Sequence, residues 1–191
     1  DRLFSNAGLS SFEGVDLALN WSRQLDGGGN LNLSTTAIIN LQEVTQAVAD
    51  IPAIHHKGYD SCGLQLQCQN YDYRVFTTIG YGRGMWNMSL RHQYWPALDN
   101  NACRTNTTSN ACINSSPPAY GLFAMSGAFQ FDRYRIQAGI ENLLDEEPPC
   151  LGANPANQGF ALECSHGGLN APGSTYDPLG RRYFISMTMD F

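Results

Sequence analysis

Lysine occurs once in this chain, at Lys57, and charged residues make up only 15% of it. Soluble domains carry about 25%. With a formal charge of −6 the chain has no basic stripe, which excludes a nucleic-acid partner. No apolar run reaches the ~18 residues that a transmembrane helix needs. Helical periodicity is absent throughout. No C-x-x-C occurs, which argues against a zinc site or a thioredoxin-type motif. No nucleophile, base and orienting acid can be assembled from spacing, so the chain is read as a non-enzyme without cofactor or metal. It begins at Asp1 with no Met and no signal peptide, which reads as a processed or truncated chain.

Alternation is what the chain does have. Seven segments place apolar residues at every second position, the signature of half-exposed strands. They cover roughly 14–25, 30–47, 72–81, 85–96, 119–131, 134–144 and 180–191. In the first, Val15, Leu17, Leu19 and Trp21 face one way, and Asp16, Asn20 and Ser22 the other. In the fourth, Trp86, Met88, Leu90 and Tyr94 oppose Asn87, Ser89, Arg91 and Gln93. In the last, Tyr183, Ile185, Met187, Met189 and Phe191 share a face, and Phe184 is the one apolar intruder on the other.

The connections between these segments alternate too. "DGGG" at 26–29, "GRG" at 82–84 and "DR" at 132–133 are tight. The stretches 48–71, 97–118 and 145–178 are long. A soluble sandwich has no reason for this rhythm. A membrane β-barrel does, because short periplasmic turns and long extracellular loops join its strands. The expected fold is therefore all-β, an antiparallel transmembrane β-barrel with outer-membrane lipid as its partner.

The aromatic residues fit that expectation. Trp21, Tyr81, Trp86, Phe131, Tyr134 and Phe191 fall on the apolar face near the short turns or the C-terminus, as one interfacial girdle. Tyr73, Tyr94, Phe123 and Tyr183 fall on the same face near the long loops, as the other. Each long loop holds two cysteines: Cys62 with Cys68, Cys103 with Cys112, Cys150 with Cys164. Pairing within each loop is the simplest connectivity, and disulfides imply an oxidising compartment. Bacterial barrels use even strand numbers. Seven strands are then expected to be the C-terminal piece of a larger barrel, with "DRLFSNAGLSSFEG" as the tail of another long loop.

Specific residues carry a resemblance. "GIENLLDEEPP" (139–149) and "TYDPLGRRYFISMTMDF" (175–191) resemble the C-terminal end of TonB-dependent outer-membrane receptors, and "FEGVDLALNW" (12–21) resembles one of that family's strands. The resemblance implies a barrel of about 22 strands with an N-terminal plug, of which this chain carries the last seven strands. It implies uptake of a scarce ligand of the siderophore, cobalamin or oligosaccharide class, driven by the TonB complex through the plug. It also implies that Tyr183, Ile185, Met187, Met189 and Phe191 form a signal for the barrel-assembly machinery. The location implied is the bacterial outer membrane, with long loops extracellular and the C-terminus periplasmic. The alternatives are a porin, an outer-membrane enzyme of the lipase type, or a soluble lectin-like sandwich.

Candidate ligand contacts are Tyr59, Tyr71, Trp95, Tyr120 and Tyr176, aromatics near the outer side that can stack on a ligand or pack the loops together. Arg91 can line an anion path or, with Arg135, join Glu141 and Asp190 in a polar wall. His55 and His56, with His166, lack ligand spacing and read as surface residues rather than metal ligands.

Overall fold

The computed structural model describes residues 8–47, 51–59, 70–99, 116–148, 176–177 and 179–190. Among these the secondary structure is entirely β. Seven long strands form one antiparallel sheet: β1 (Leu9–Gln24), β2 (Gly29–Gln46), β4 (Tyr73–Arg83), β5 (Trp86–Trp95), β6 (Tyr120–Phe131), β7 (Tyr134–Glu141) and β8 (Arg182–Met189). They pair in chain order. The two-residue β3 (Ile54–His55) lies off this path, paired to the far end of β2. The sheet is open, and β1 and β8 do not pair with each other.

Three short turns set the register at one end. Gly28 and Gly84 adopt φ of 77° and 57°, conformations that cost glycine little. The β4–β5 turn falls on Gly84 and Met85, because Arg83 still pairs with Trp86. The β6–β7 turn uses Asp132 at φ 51°, a position that Asp tolerates better than most residues.

Two strand ends depart from the alternation reading. β1 starts at Leu9, so Leu9–Glu13 is strand rather than loop. Its sequence, LSSFE, puts two serines in succession and Phe12 in the parity of Asp16, so no alternation marked it. Glu13 pairs with Gln42 and Gly14 with Asn40, leaving Leu41 without a partner in β1. The extra residue lies in β2, so the alternation changes phase along β2 beyond Leu41. β7 ends at Glu141, because Asn142 turns into the left-handed region at φ 51°.

Register makes each face continuous. One row runs Trp21, Leu33, Ile79, Leu90, Met125, Ile140, Tyr183, and the next runs Leu31, Tyr81, Met88, Gly127, Ala138, Ile185. This apolar face lies open: Leu19 is 57% exposed, Trp86 59% and Ile185 78%. Its two central hydroxyls, on the paired Thr35 and Thr77, lie 3.3 Å apart and satisfy each other. The opposite face carries Asn20, Ser34, Thr78, Ser89, Arg91, Ser126, Gln137, Glu141 and Ser186. The buried core is small and sits at the end of the sheet away from the short turns. It comprises Tyr71, Trp95, Leu98, Tyr120 and Tyr176, with Phe76 and Leu122 against it.

Aromatics bracket the apolar face at a fixed interval. Tyr73 and Tyr81 delimit it on β4, Trp86 and Tyr94 on β5, Phe123 and Phe131 on β6. Each pair is eight positions apart, ~27 Å along a strand.

Candidate functional site

The polar face is built around an ion pair that crosses a strand. Arg91 on β5 and Glu141 on β7 both point to this face, and β6 lies between them. The residue in register between them is Ala124, whose methyl group leaves the two long side chains room to meet. One Arg91 nitrogen, Nη2, donates to both Glu141 carboxylate oxygens at 2.8 Å. Both side chains are part-exposed, so the pair adds only ~0–1 kcal/mol of stability. Its effect is to leave this stretch of wall close to neutral. Beside it the hydroxyls of Ser89 and Ser126, directly opposite on β5 and β6, lie 2.9 Å apart.

Phe184 interrupts this polar face. It pairs with Gly139 on β7, and its ring lies on the space a side chain there would fill. A Cβ added at Gly139 would sit 2.5 Å from two ring carbons and 2.8 Å from the Met125 carbonyl oxygen. The ring is therefore packed against the β7 backbone at Gly139. A hollow of about 230 Å³ adjoins it, lined by Thr78, Ser89, Arg91, Ser126, Gln137 and Glu141 among others.

The loop end is closed by the aromatic core. Trp95 and Tyr120 face each other across β5 and β6. Phe76 meets Trp95 edge-on at 6.2 Å, and Tyr120 meets Tyr176 edge-on at 5.0 Å, both favourable quadrupole geometries. The Tyr71 hydroxyl donates to that of Tyr176 at 2.9 Å. Burial pushes the Tyr71 phenol well above its ordinary value, and the bond to Tyr176 adds to the shift. Burial raises Tyr176 as well, while the bond it accepts from Tyr71 works the other way.

Polar bonds clasp the two ends of the last long connection. The Asn142 amide donates to the Glu146 carbonyl and accepts from the Glu146 N–H, both at 2.8 Å, and Asn142 is buried. Asp145, at φ 59°, accepts from the Arg181 backbone N–H at 2.9 Å. Asp177 accepts from the Leu179 N–H at 3.0 Å and from Arg182 Nη1 at 2.7 Å. Gly180, at φ 66°, brings the chain past Asp145, where a Cβ would lie 3.3 Å from its carboxylate. These residues belong to the same two stretches, 139–149 and 175–191, that carry the family resemblance.

The candidate ligand contacts divide accordingly. Tyr71, Trp95, Tyr120 and Tyr176 come together, at 5% exposure or less, and their rings meet one another. Tyr59 lies apart and bridges Asp99 through its backbone. Arg91 stands mid-sheet in its ion pair. Tyr183, Ile185 and Met187 are exposed on the apolar face. Phe191, His166 and all six cysteines (Cys62, Cys68, Cys103, Cys112, Cys150, Cys164) lie outside the described residues.

Two residues gain a place that the sequence reading did not give them. His92 lies on the apolar face, stacked on Phe123 with ring centres 4.3 Å apart, and its parity in β5 was the available signal. His56, read as a surface residue, is buried instead, with Nε2 2.7 Å from the Thr45 hydroxyl. No signal in the sequence marked this, because it depends on β3 folding back on β2. Among the described residues no group of three His, Cys, Asp or Glu is placed to hold a metal ion.

Comparison with protein-family models, curated proteins and solved structures finds no match for this chain.

Proposed function

We propose that this sheet is the C-terminal part of an outer-membrane β-barrel of the TonB-dependent receptor kind. It takes up a scarce ligand of the siderophore, cobalamin or oligosaccharide class. One observation carries the reading: an exposed apolar face, continuous over seven strands and bracketed by aromatics eight positions apart on β4, β5 and β6. At the ~40° tilt of barrel strands, ~27 Å along the strand becomes ~20 Å across the membrane, and the rings reach further, towards the apolar band of about 25 Å. Water would make such a face an aggregation liability, whereas lipid is its natural solvent.

The open edges of β1 and β8 support the larger-barrel part of the reading, since a lipid-embedded sheet must close its unpaired backbone groups with further strands. The polar face then lines the lumen, the short turns lie in the periplasm and the long connections face outward. The chemistry is binding and gating rather than bond making. Barrel-assembly factors, a plug and the TonB complex are the partners this reading requires.

Uptake assays in cells making the full-length protein provide the test. Uptake of a siderophore, cobalamin or oligosaccharide should disappear both when the protein is deleted and when TonB is inactivated. Uptake that needs the protein but survives loss of TonB would favour a porin.

A further inference from the structure

The polar face carries an exposed aromatic ring beside its ion pair, at Phe184, and the surrounding chemistry indicates what it is for. Phe184 is 38% exposed on a face otherwise lined by hydroxyls, amides and an ion pair. The sheet does not cover the ring but positions it. Gly139 opposite gives up its side chain, and one side of the ring takes that space. The rest of the ring lines the adjoining hollow.

The hollow defines the class of ligand. Its lining holds one cation, Arg91, and one anion, Glu141, bonded to each other at 2.8 Å, so their charges cancel. The nearby Arg182 is held by Asp177 at 2.7 Å. Within this lining an anionic ligand would find no unmatched positive charge. What remains is a dense set of neutral donors and acceptors: the hydroxyls of Thr78, Ser89 and Ser126 and the amide of Gln137. A flat ring beside planar polar groups and hydroxyls suits a molecule that is apolar on one face and hydroxylated round its edge. Saccharide rings have that character. At about 230 Å³ the hollow is smaller than the roughly 300–1,000 Å³ of drug-sized pockets, which suits one sugar ring rather than a large chelate.

We infer that Phe184, with the Arg91–Glu141 pair and the Ser89, Ser126 and Gln137 side chains, forms a subsite for one ring of a neutral saccharide. This deepens the proposed function and rests on it, because it needs the polar face to line a lumen. Phe184 supplies the stacking surface. The ion pair offers Arg91 and Glu141 edges as directional hydrogen-bonding partners.

Ligand-detected NMR on the full-length protein in detergent micelles tests the subsite, with maltose and citrate as probes. Maltose should receive saturation from the protein at millimolar concentration, strongest at the ring C–H protons of one sugar face, and citrate should not. Phe184→Tyr should retain maltose binding within about twofold. Phe184→Leu, which keeps an apolar side chain but no ring, should weaken it about tenfold with the unfolding transition retained. Maltose binding unchanged in the leucine variant, or citrate bound in preference to maltose, would overturn the inference. Spin labels at positions 185 to 188 separate this failure from that of the membrane reading. Labels that alternate between lipid and water without maltose binding would remove the subsite alone. Labels that do not alternate would remove both.

Discussion

The phenol of Tyr71 donates to the phenol of Tyr176 across 2.9 Å and 105 positions of sequence. It ties the segment entering β4 to the segment entering β8, inside an aromatic core to which β5 and β6 contribute Trp95 and Tyr120. Both phenols are pushed above the ordinary value of 10.0, so both stabilise the fold while protonated. That contribution is intact below about pH 10 and fades as pH rises towards the folded-state values. An absorbance titration of tyrosinate should leave these two phenols silent until well above pH 10, where they ionise together with loosening of the loop end. Tyr176→Phe strands the Tyr71 hydroxyl and should cost ~1–3 kcal/mol in denaturant unfolding. Two independent phenol titrations near pH 10 would contradict the buried pair.

Asn142 combines a left-handed backbone with two side-chain bonds to Glu146. Asn142→Ala loses both bonds and keeps the strained φ, so it should destabilise by ~2–4 kcal/mol. Asn142→Gly relieves the backbone alone and should recover ~1 kcal/mol of that loss. Equal losses in thermal unfolding for the two variants would show that φ carries no cost there.

Gly139 and Phe184 share one volume. Gly139→Ala should destabilise the sheet by ~1–3 kcal/mol through overpacking, because the added methyl meets both the ring and the Met125 carbonyl. Combining it with Phe184→Ser should cost less than the sum of the two single changes, since the ring is one of the two clashes. Strict additivity in a double-mutant cycle would refute the contact.

Spin labels read the two faces directly. Positions 185 and 187 should show oxygen accessibility typical of acyl chains, and 186 and 188 should show access to a water-soluble relaxant. A uniform response at all four positions would end the lipid assignment.

The sheet was legible because each strand meets different surroundings on its two faces, so period two survives in β1, β2, β5 and β8. It failed where geometry shifts the phase. The bulge at Leu41 shifts the phase of the last residues of β2, the LSSFE start of β1 does not alternate, and strand β3 is too short to show a period. The loop-end core was legible only as a set of residue types. Tyr71, Trp95, Tyr120 and Tyr176 stood out as aromatics at strand ends, but their mutual burial depends on where four separate segments converge. The Arg91–Glu141 pair was foreseeable from parity, whereas Ala124 as the gap that permits it was not. The fit of Phe184 onto Gly139 depends on a register between β7 and β8 that no local pattern encodes.

The bond from the Arg181 N–H to Asp145 has a consequence for how such a chain can change over evolutionary time. The Arg181 N–H and the Asp145 carboxylate, 2.9 Å apart, hold the ends of β7 and β8 together, and Asp177 adds its bond to Arg182. Insertions or deletions between these ends cost only a slowly growing closure entropy. Length and sequence between Glu146 and Tyr176 can thus change at small cost to the pairing of β7 and β8.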